Sequence, residues 1–265
     1  IRNISRLTSL NIFSSISNEL TKPVFVSLTM ANDSFLKSWL REENDSPKQI
    51  AELQDYLNGL KRKYDYSSVF LVSAKTNIYY HYNGINKVVS RDDSHDVWYY
   101  NFVASGIPHR LEVDTDEMVR NELTVFVNCR IEDDHGELMG VVGVGVKMRE
   151  LQQILASFEL DFDLTAFLVN REGVVQVHTS DAMIANATID DLLPVSEYRK
   201  KIFTKSRVES SWYKYNGQET CLVTRYIDDL DWYLIVEKDT AIIKESLLSQ
   251  LWKDILVVAC IIILI

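Results

Sequence analysis

Apolar residues recur at intervals of three and four along the start of the chain: Ile1, Ile4, Leu7, Leu10, Phe13, Ile16, Leu20, Val24, Leu28, Ala31, Phe35 and Trp39. That spacing keeps them on one face of a helix. A helix of this length would reach about 60 Å and so predicts a spine, kinked where Pro23 interrupts the backbone hydrogen bonding. Ser46 is a good N-cap and Pro47 suits a first turn. A second helix is expected over roughly 47–63, with Ile50, Leu53, Leu57 and Leu60 on its face.

After Tyr64 the period changes from 3.6 to two. Ser68–Ala74 and Ile78–Tyr82 read as strands about the turn Lys75-Thr76-Asn77. Asp96–Ala104 suits a helix closed by Gly106, Leu123–Ile131 and Leu138–Met148 suit strands, and Met148–Phe158 returns to helical spacing. The order then repeats. Thr165–Asn170 and Val174–Thr179 predict strands, Asp190–Phe203 a helix, and Glu209–Tyr215, Glu219–Arg225 and Trp232–Glu237 three more strands, with Asn216-Gly217 as a hairpin turn. Leu71 with Phe167, Val127 with Leu222 and Val144 with Ile235 match at a period of about 95 residues. The pattern predicts an α+β chain in which a long N-terminal helix precedes two antiparallel-sheet modules. The divisions expected are a helical spine over 1–64, a first module over 65–150, a second over 151–240 and a signalling helix over 241–265.

Composition adjusts this picture at one end. The 265 residues carry 28 Lys and Arg against 38 Asp and Glu, a formal net charge of −10 with no basic block, which argues against a nucleic-acid partner. Mean hydropathy is near zero, but it averages a polar body with the uncharged run Ile255–Ile265. That run is shorter than the roughly 20 residues of a spanning helix. It is read as the start of a truncated transmembrane helix with Trp252 and Lys253 at the interface, the alternative being a C-terminal core helix. Cys129 and Cys221 fall one in each module and read as buried free thiols.

In this setting the chain resembles the double Cache ectodomains of bacterial transmembrane receptors, tandem PAS-like sensors, and most of all those of membrane-bound GGDEF proteins (diguanylate cyclases) and sensor histidine kinases. The resemblance rests on the stretch Asp96–Gly106, on Leu111–Asp116, on Gly140–Val146 and, in the second half, on Phe167–Asn170 and Gly173–His178. It implies a ligand sensor in the periplasm, anchored in the inner membrane through its C-terminal helix. Any catalytic output, whether diguanylate cyclase or histidine kinase, would lie outside these residues. No nucleophile elbow, Walker A loop or dinucleotide fingerprint is present, so no catalytic residue and no cofactor is expected.

The ligand site is expected in the first, membrane-distal module. Along Leu123–Ile131, Phe126, Asn128 and Arg130 alternate with an apolar set and would face a cavity. Gly143 and Gly145 would leave space before the sheet or admit a close-packed neighbour. Asp96, Trp98, Tyr99, Asp114 and Asp116 add carboxylates and rings, a combination suited to a cation. Trp98 and Asp116 agree with the family's amino-acid-binding motif. An Arg that grips the ligand carboxylate in that motif is here Asp96, and its late Asp is here Gly145. The exchange of Arg for Asp favours a small amine, such as one of the polyamine class, over an α-amino acid. The charges Arg91, Arg110 and Arg130 keep a carboxylate sensor open, and a module recognising a periplasmic binding protein is the rival class. Asp92, Asp93, His95 and Asp96 match no metal-ligand spacing and read as a solvated loop, His178 reads as a structural histidine, and the spine suggests a homodimer.

Overall fold

The computed structural model describes residues 2–44, 46–119, 122–193, 202–203, 208–215, 218–239, 251–253 and 255. The chain divides into two compact units, one of residues 16–153 and one of residues 1–15 with 154–265.

Helix α1 runs Arg2–Ala31 with Pro23 inside it, and ends earlier than the apolar stripe. The break falls at Asn32-Asp33, because the Asp33 carboxylate accepts the Phe35 N–H at 2.7 Å and so caps a new helix, α2 (Ser34–Arg41). The single forty-residue spine is therefore two helices. Helix α3 (Pro47–Tyr64) starts where the N-cap predicts: Ser46 Oγ accepts the Gln49 N–H at 3.3 Å, and Pro47 occupies the first turn.

The first unit is built on a six-stranded antiparallel sheet in the order β3-β2-β1-β6-β5-β4. Its strands are β1 (Ser68–Ser73), β2 (Ile78–His81), β3 (Gly84–Val88), β4 (His109–Asp116), β5 (Glu122–Glu132) and β6 (Leu138–Lys147). Strands β3 and β4 lie outside the sequence prediction. Helix α4 (Val97–Ser105) sits between them and ends on Gly106 in the left-handed region (φ 65°). Helices α2 and α3 pack on one face of the sheet. There Glu43 is held by Ser73 Oγ (2.6 Å), Thr76 Oγ1 (2.7 Å) and Tyr80 OH (2.9 Å), which fastens the end of α2 to the β1–β2 turn. Helix α4 covers the other face with Phe70, Val72, Tyr79, Val89, Tyr99, Phe102 and Val141 as the core between.

Helix α5 (Met148–Phe162) leads to the second sheet, ordered β8-β7-β11-β10-β9. It comprises β7 (Thr165–Val169), β8 (Val175–Val177), β9 (Glu209–Tyr215), β10 (Gln218–Ile227) and β11 (Trp232–Asp239). The order repeats that of the first sheet without its β3. Of the helix expected over 190–203, the described part is the short α6 (Ile189–Leu192); residues 194–201 lie outside the described residues. The apolar run after Ile255 and nearly all of the expected C-terminal helix also lie outside them. No helix among the described residues is long and apolar enough to cross a membrane. Both described thiols, Cys129 and Cys221, are buried, and burial pushes Cys129 up to about 12, which makes it inert.

Candidate functional site

Strand register decides which side chains share the face beneath α4. Phe126 lies opposite Glu112 and Gly145, Asn128 opposite Arg110 and Gly143, and Asp114 opposite Thr124. Ser68 and Phe70 lie opposite Gly145 and Gly143, and Tyr79 lies opposite Val72 and Lys87. Directly paired residues project to the same side of a sheet. Asp114, Asp116, Phe126, Asn128 and Arg130 thus share one face with Ser68, Phe70, Tyr79, His81 and Lys87, while Trp98 and Tyr99 come down on it from α4.

The rings form one wall. Trp98 is half-buried and meets Phe70, Tyr79 and Tyr99 edge-on at centroid distances of 5.9, 6.4 and 5.8 Å. Phe126 stands 6.1 Å from Phe70. Tyr99 is buried within the core of this face, so it supports Trp98 more than it faces solvent.

On the same face lie hydrogen-bond acceptors. Asp116 is 2% exposed; its Oδ1 accepts the Met118 N–H at 2.9 Å, while Oδ2 is buried with no donor. Asn128 is also 2% exposed; its Nδ2 donates to Glu112 Oε2 at 2.9 Å, and its Oδ1 is buried with no donor. Asp114 keeps open area at the rim, where its Oδ1 accepts the Thr115 N–H at 2.7 Å. Burial raises the carboxyls of Glu112, Asp114 and Asp116 above the usual range, against the pull of Arg110 on the first and of backbone N–H groups on the other two. Such a wall is short of donors and of positive charge.

Asp96 differs from its expected role. It is 1% exposed, its Oδ2 accepts the Ser90 N–H at 2.8 Å, and its Oδ1 forms an ion pair with Lys87 Nζ at 2.8 Å, without hydrogen-bond alignment. Lys87 also reaches Asp93 at 3.0 Å and Glu117 at 2.9 Å. Burial works against its charge, but the carboxylates of Asp96, Glu117 and Asp93 together raise it. Asp96 is thus matched by a lysine of the same chain. Arg130 is likewise occupied: Nε donates to Glu132 at 2.8 Å and Nη1 to the Val103 carbonyl at 3.0 Å, where a cation suits the last turn of α4. The glycine pair admits close packing rather than open space. A Cβ at Gly143 would collide with the Val127 carbonyl and meet the Phe70 ring at 2.8 Å, and one at Gly145 would meet Thr124 Cγ2 at 2.7 Å.

Sequence reasoning passed over Lys87, Glu112 and Ser68. Glu112 had a visible signal, since Arg110, Glu112, Asp114 and Asp116 alternate with Leu111 and Val113. Among the described residues no group of three or more His, Cys, Asp or Glu could hold a metal ion. His178, in the second unit, accepts the Ser180 N–H at 2.9 Å through Nδ1.

Comparison with known proteins extends these observations. The family model described as Cache domain matches residues 2–247. Among solved structures, the ligand-binding domain of the Pseudomonas aeruginosa PAO1 amino acid chemoreceptor PctB, in complex with L-arginine, is similar over 90% of this chain and 94% of that one, at 18% identity and a TM-score of 0.63. That of the P. aeruginosa PAO1 amino acid chemoreceptor PctC, in complex with GABA, is similar over 89% and 96%, at 16% identity and a TM-score of 0.58. The extracellular domain of a candidate histidine kinase is similar over 90% and 95%, at 14% identity and a TM-score of 0.64. At these identities the likeness is one of fold.

Proposed function

The chain belongs to the Cache-domain family, in its double form, and from that premise we propose that it is an extracytoplasmic sensor whose first module receives a small organic amine. One observation carries the choice of ligand. Asp116 Oδ2 and Asn128 Oδ1 are buried on one face of the first sheet without donors, whereas the cations near that face are already engaged. Lys87 has three carboxylates, Arg110 has Glu112, Arg130 has Glu132, and Arg91 lies 4.3 Å over the Tyr100 ring. A ligand ammonium supplies N–H donors and charge to the acceptors and presents a cation to the rings. A ligand carboxylate meets no unengaged cation among these.

In this reading Asp116 is the anchor, with Asn128, Glu112 and Asp114 completing the wall and Trp98 and Phe126 closing over the carbon chain. Asp96 acts through Lys87, holding the start of α4 against β3 and Glu117. L-arginine and GABA, the ligands of the chemoreceptors named above, each carry an ammonium beside a carboxylate, so an ammonium-recognising wall is compatible with both and the carboxylate is what the amine reading leaves out. Binding tighter to one conformation than to another shifts the population of the two and passes to an output domain through the C-terminal segment. The sensor is read as a homodimer anchored in the inner membrane.

A thermal-shift panel pairing amines with their carboxylated counterparts, such as 1,4-diaminobutane with ornithine, tests the reading. The diamine should raise the melting temperature more than ornithine does. Stabilisation by carboxylates lacking an amine, with none by amines, would overturn it and favour the carboxylate sensor.

A further inference from the structure

Next to Asp116 the first sheet holds a buried pair that the ligand wall does not itself use. His81, on β2, is fully buried, and its Nε2 lies 3.1 Å from Ser68 Oγ on β1. Its Nδ1 accepts the Asn83 backbone N–H at 3.3 Å. In a neutral ring this bond leaves the proton on Nε2, pointing at Ser68. Burial, with Lys61 nearby, lowers the imidazole to about 4, so the ring is neutral at physiological pH.

Ser68 Oγ therefore accepts from His81, and its own hydrogen must turn to another acceptor. Two groups adjoin it, the Tyr79 phenol and the Asp116 carboxylate. Of these, Asp116 holds the buried oxygen without a donor. The hydroxyl already favours the ionised form of Asp116, whose Oδ2 has no full hydrogen bond. Gly145 makes this convergence possible, because any Cβ there would stand 3.0 Å from Ser68 Cβ and 3.2 Å from Ser67 Oγ.

We infer that Ser68 and His81 are positioning residues for the ligand anchor: His81 donates to Ser68, Ser68 turns its O–H on Asp116, and the carboxylate's remaining lone pairs are held aimed at the ligand's N–H groups. The inference rests on reading Asp116 as that anchor. It explains why a histidine is kept fully buried beside a serine, with both ring nitrogens engaged.

Nitrogen-15 NMR of histidine-labelled protein reads the ring directly. The ligand-free protein should show the Nε2–H tautomer at His81, and Ser68→Ala and Asp116→Asn should each move its resonances. Affinity for 1,4-diaminobutane, the probe, gives the second readout. His81→Gln keeps a donor at the Nε2 position and should bind within about threefold of the parent, whereas His81→Leu should bind about tenfold more weakly. Should His81→Leu not fold, Ser68→Ala carries the same comparison. An Nδ1–H tautomer, a His81 signal unmoved by both Ser68→Ala and Asp116→Asn, or undiminished affinity in His81→Leu and Ser68→Ala would overturn the inference. If the parent binds no diamine, the amine reading fails by itself, because the tautomer and its response to Asp116→Asn are measured without ligand.

Discussion

On the face of the first sheet covered by α4, Asp116 Oδ2 and Asn128 Oδ1 are buried without donors. Among the described residues, the corresponding face of the second sheet, covered by α6, is an apolar cluster. Phe167, Leu222, Tyr213, Tyr233 and Ile235 pack there with Ile189, and the tyrosines at its edges have partners: Tyr213 donates to Glu237, and Tyr226 OH donates to Asp231, which also takes Arg171 Nε at 2.6 Å. Leaving a buried acceptor unmet costs about 1–3 kcal/mol. A sheet selected for stability alone would have closed that gap, as the second one does. On the proposed reading, this contrast sets a ligand-receiving first module against a second whose described core is closed.

The largest effect should follow from breaking the first face. Asp116→Ala should weaken binding of 1,4-diaminobutane about a hundredfold, measured by calorimetry. In the ligand-free variant, loss of the Oδ1 bond to the Met118 N–H opposes relief of the unmatched Oδ2, so its stability should change by less than about 1 kcal/mol. Tyr213→Phe is the counterpart on the second face. It strips Glu237 of its donor and should cost about 1–3 kcal/mol in chemical denaturation while leaving diamine affinity unchanged. Loss of affinity in Tyr213→Phe would erase the contrast. Trp98→Ala should weaken the diamine about tenfold, the scale of a partly desolvated cation–π contact.

Acidity sharpens the comparison further. Glu112, Asp114 and Asp116 have folded pKa values raised above their unfolded ones. The folded protein therefore binds more protons in that window, and ligand-free stability from these groups declines as pH rises through it. An ammonium needs them ionised, so the melting shift caused by the diamine should shrink as pH falls toward the carboxylate range. His81 has the opposite sign: its pKa is lowered to about 4. Stability from the buried neutral ring is complete above the unfolded value of about 6.5 and declines as pH falls toward 4. His81→Gln should remove that decline. The smallest effect is expected at Arg110, 40% exposed and 3.5 Å from Glu112, where Arg110→Ala should change stability by less than about 1 kcal/mol.

Much of the fold was legible because the buried strands carry their period openly. Val125, Val127, Cys129 and Ile131 alternate as predicted and are fully buried. Strand β4 escaped because the face it gives to the site is charged: Arg110, Glu112, Asp114 and Asp116 leave only Leu111 and Val113 as apolar markers. Strand β3 is short, lies at the sheet edge and has no buried residue, so its hydrophobic signal is weak. The break after α1 carried a capping signal in Asp33 that the longer apolar stripe obscured. At the proposed site, residue types along the chain show which charges are present and not which partners they take. Asp96 has the charge expected of a ligand contact, yet pairing with Lys87 is a matter of tertiary placement that spacing along the chain does not show. The two glycines illustrate the same limit, since a missing side chain admits a neighbour as readily as a ligand and the Phe70 ring fills that space at Gly143.

The central claim is that buried, donor-starved acceptors of the first sheet bind an ammonium group. Calorimetric titration of 1,4-diaminobutane into the parent protein and into Asp116→Asn tests it most directly, because the substitution removes the charge at nearly constant shape. Saturable binding to the parent with a loss of about a hundredfold in the variant is the predicted result. Equal binding to both proteins would contradict the account.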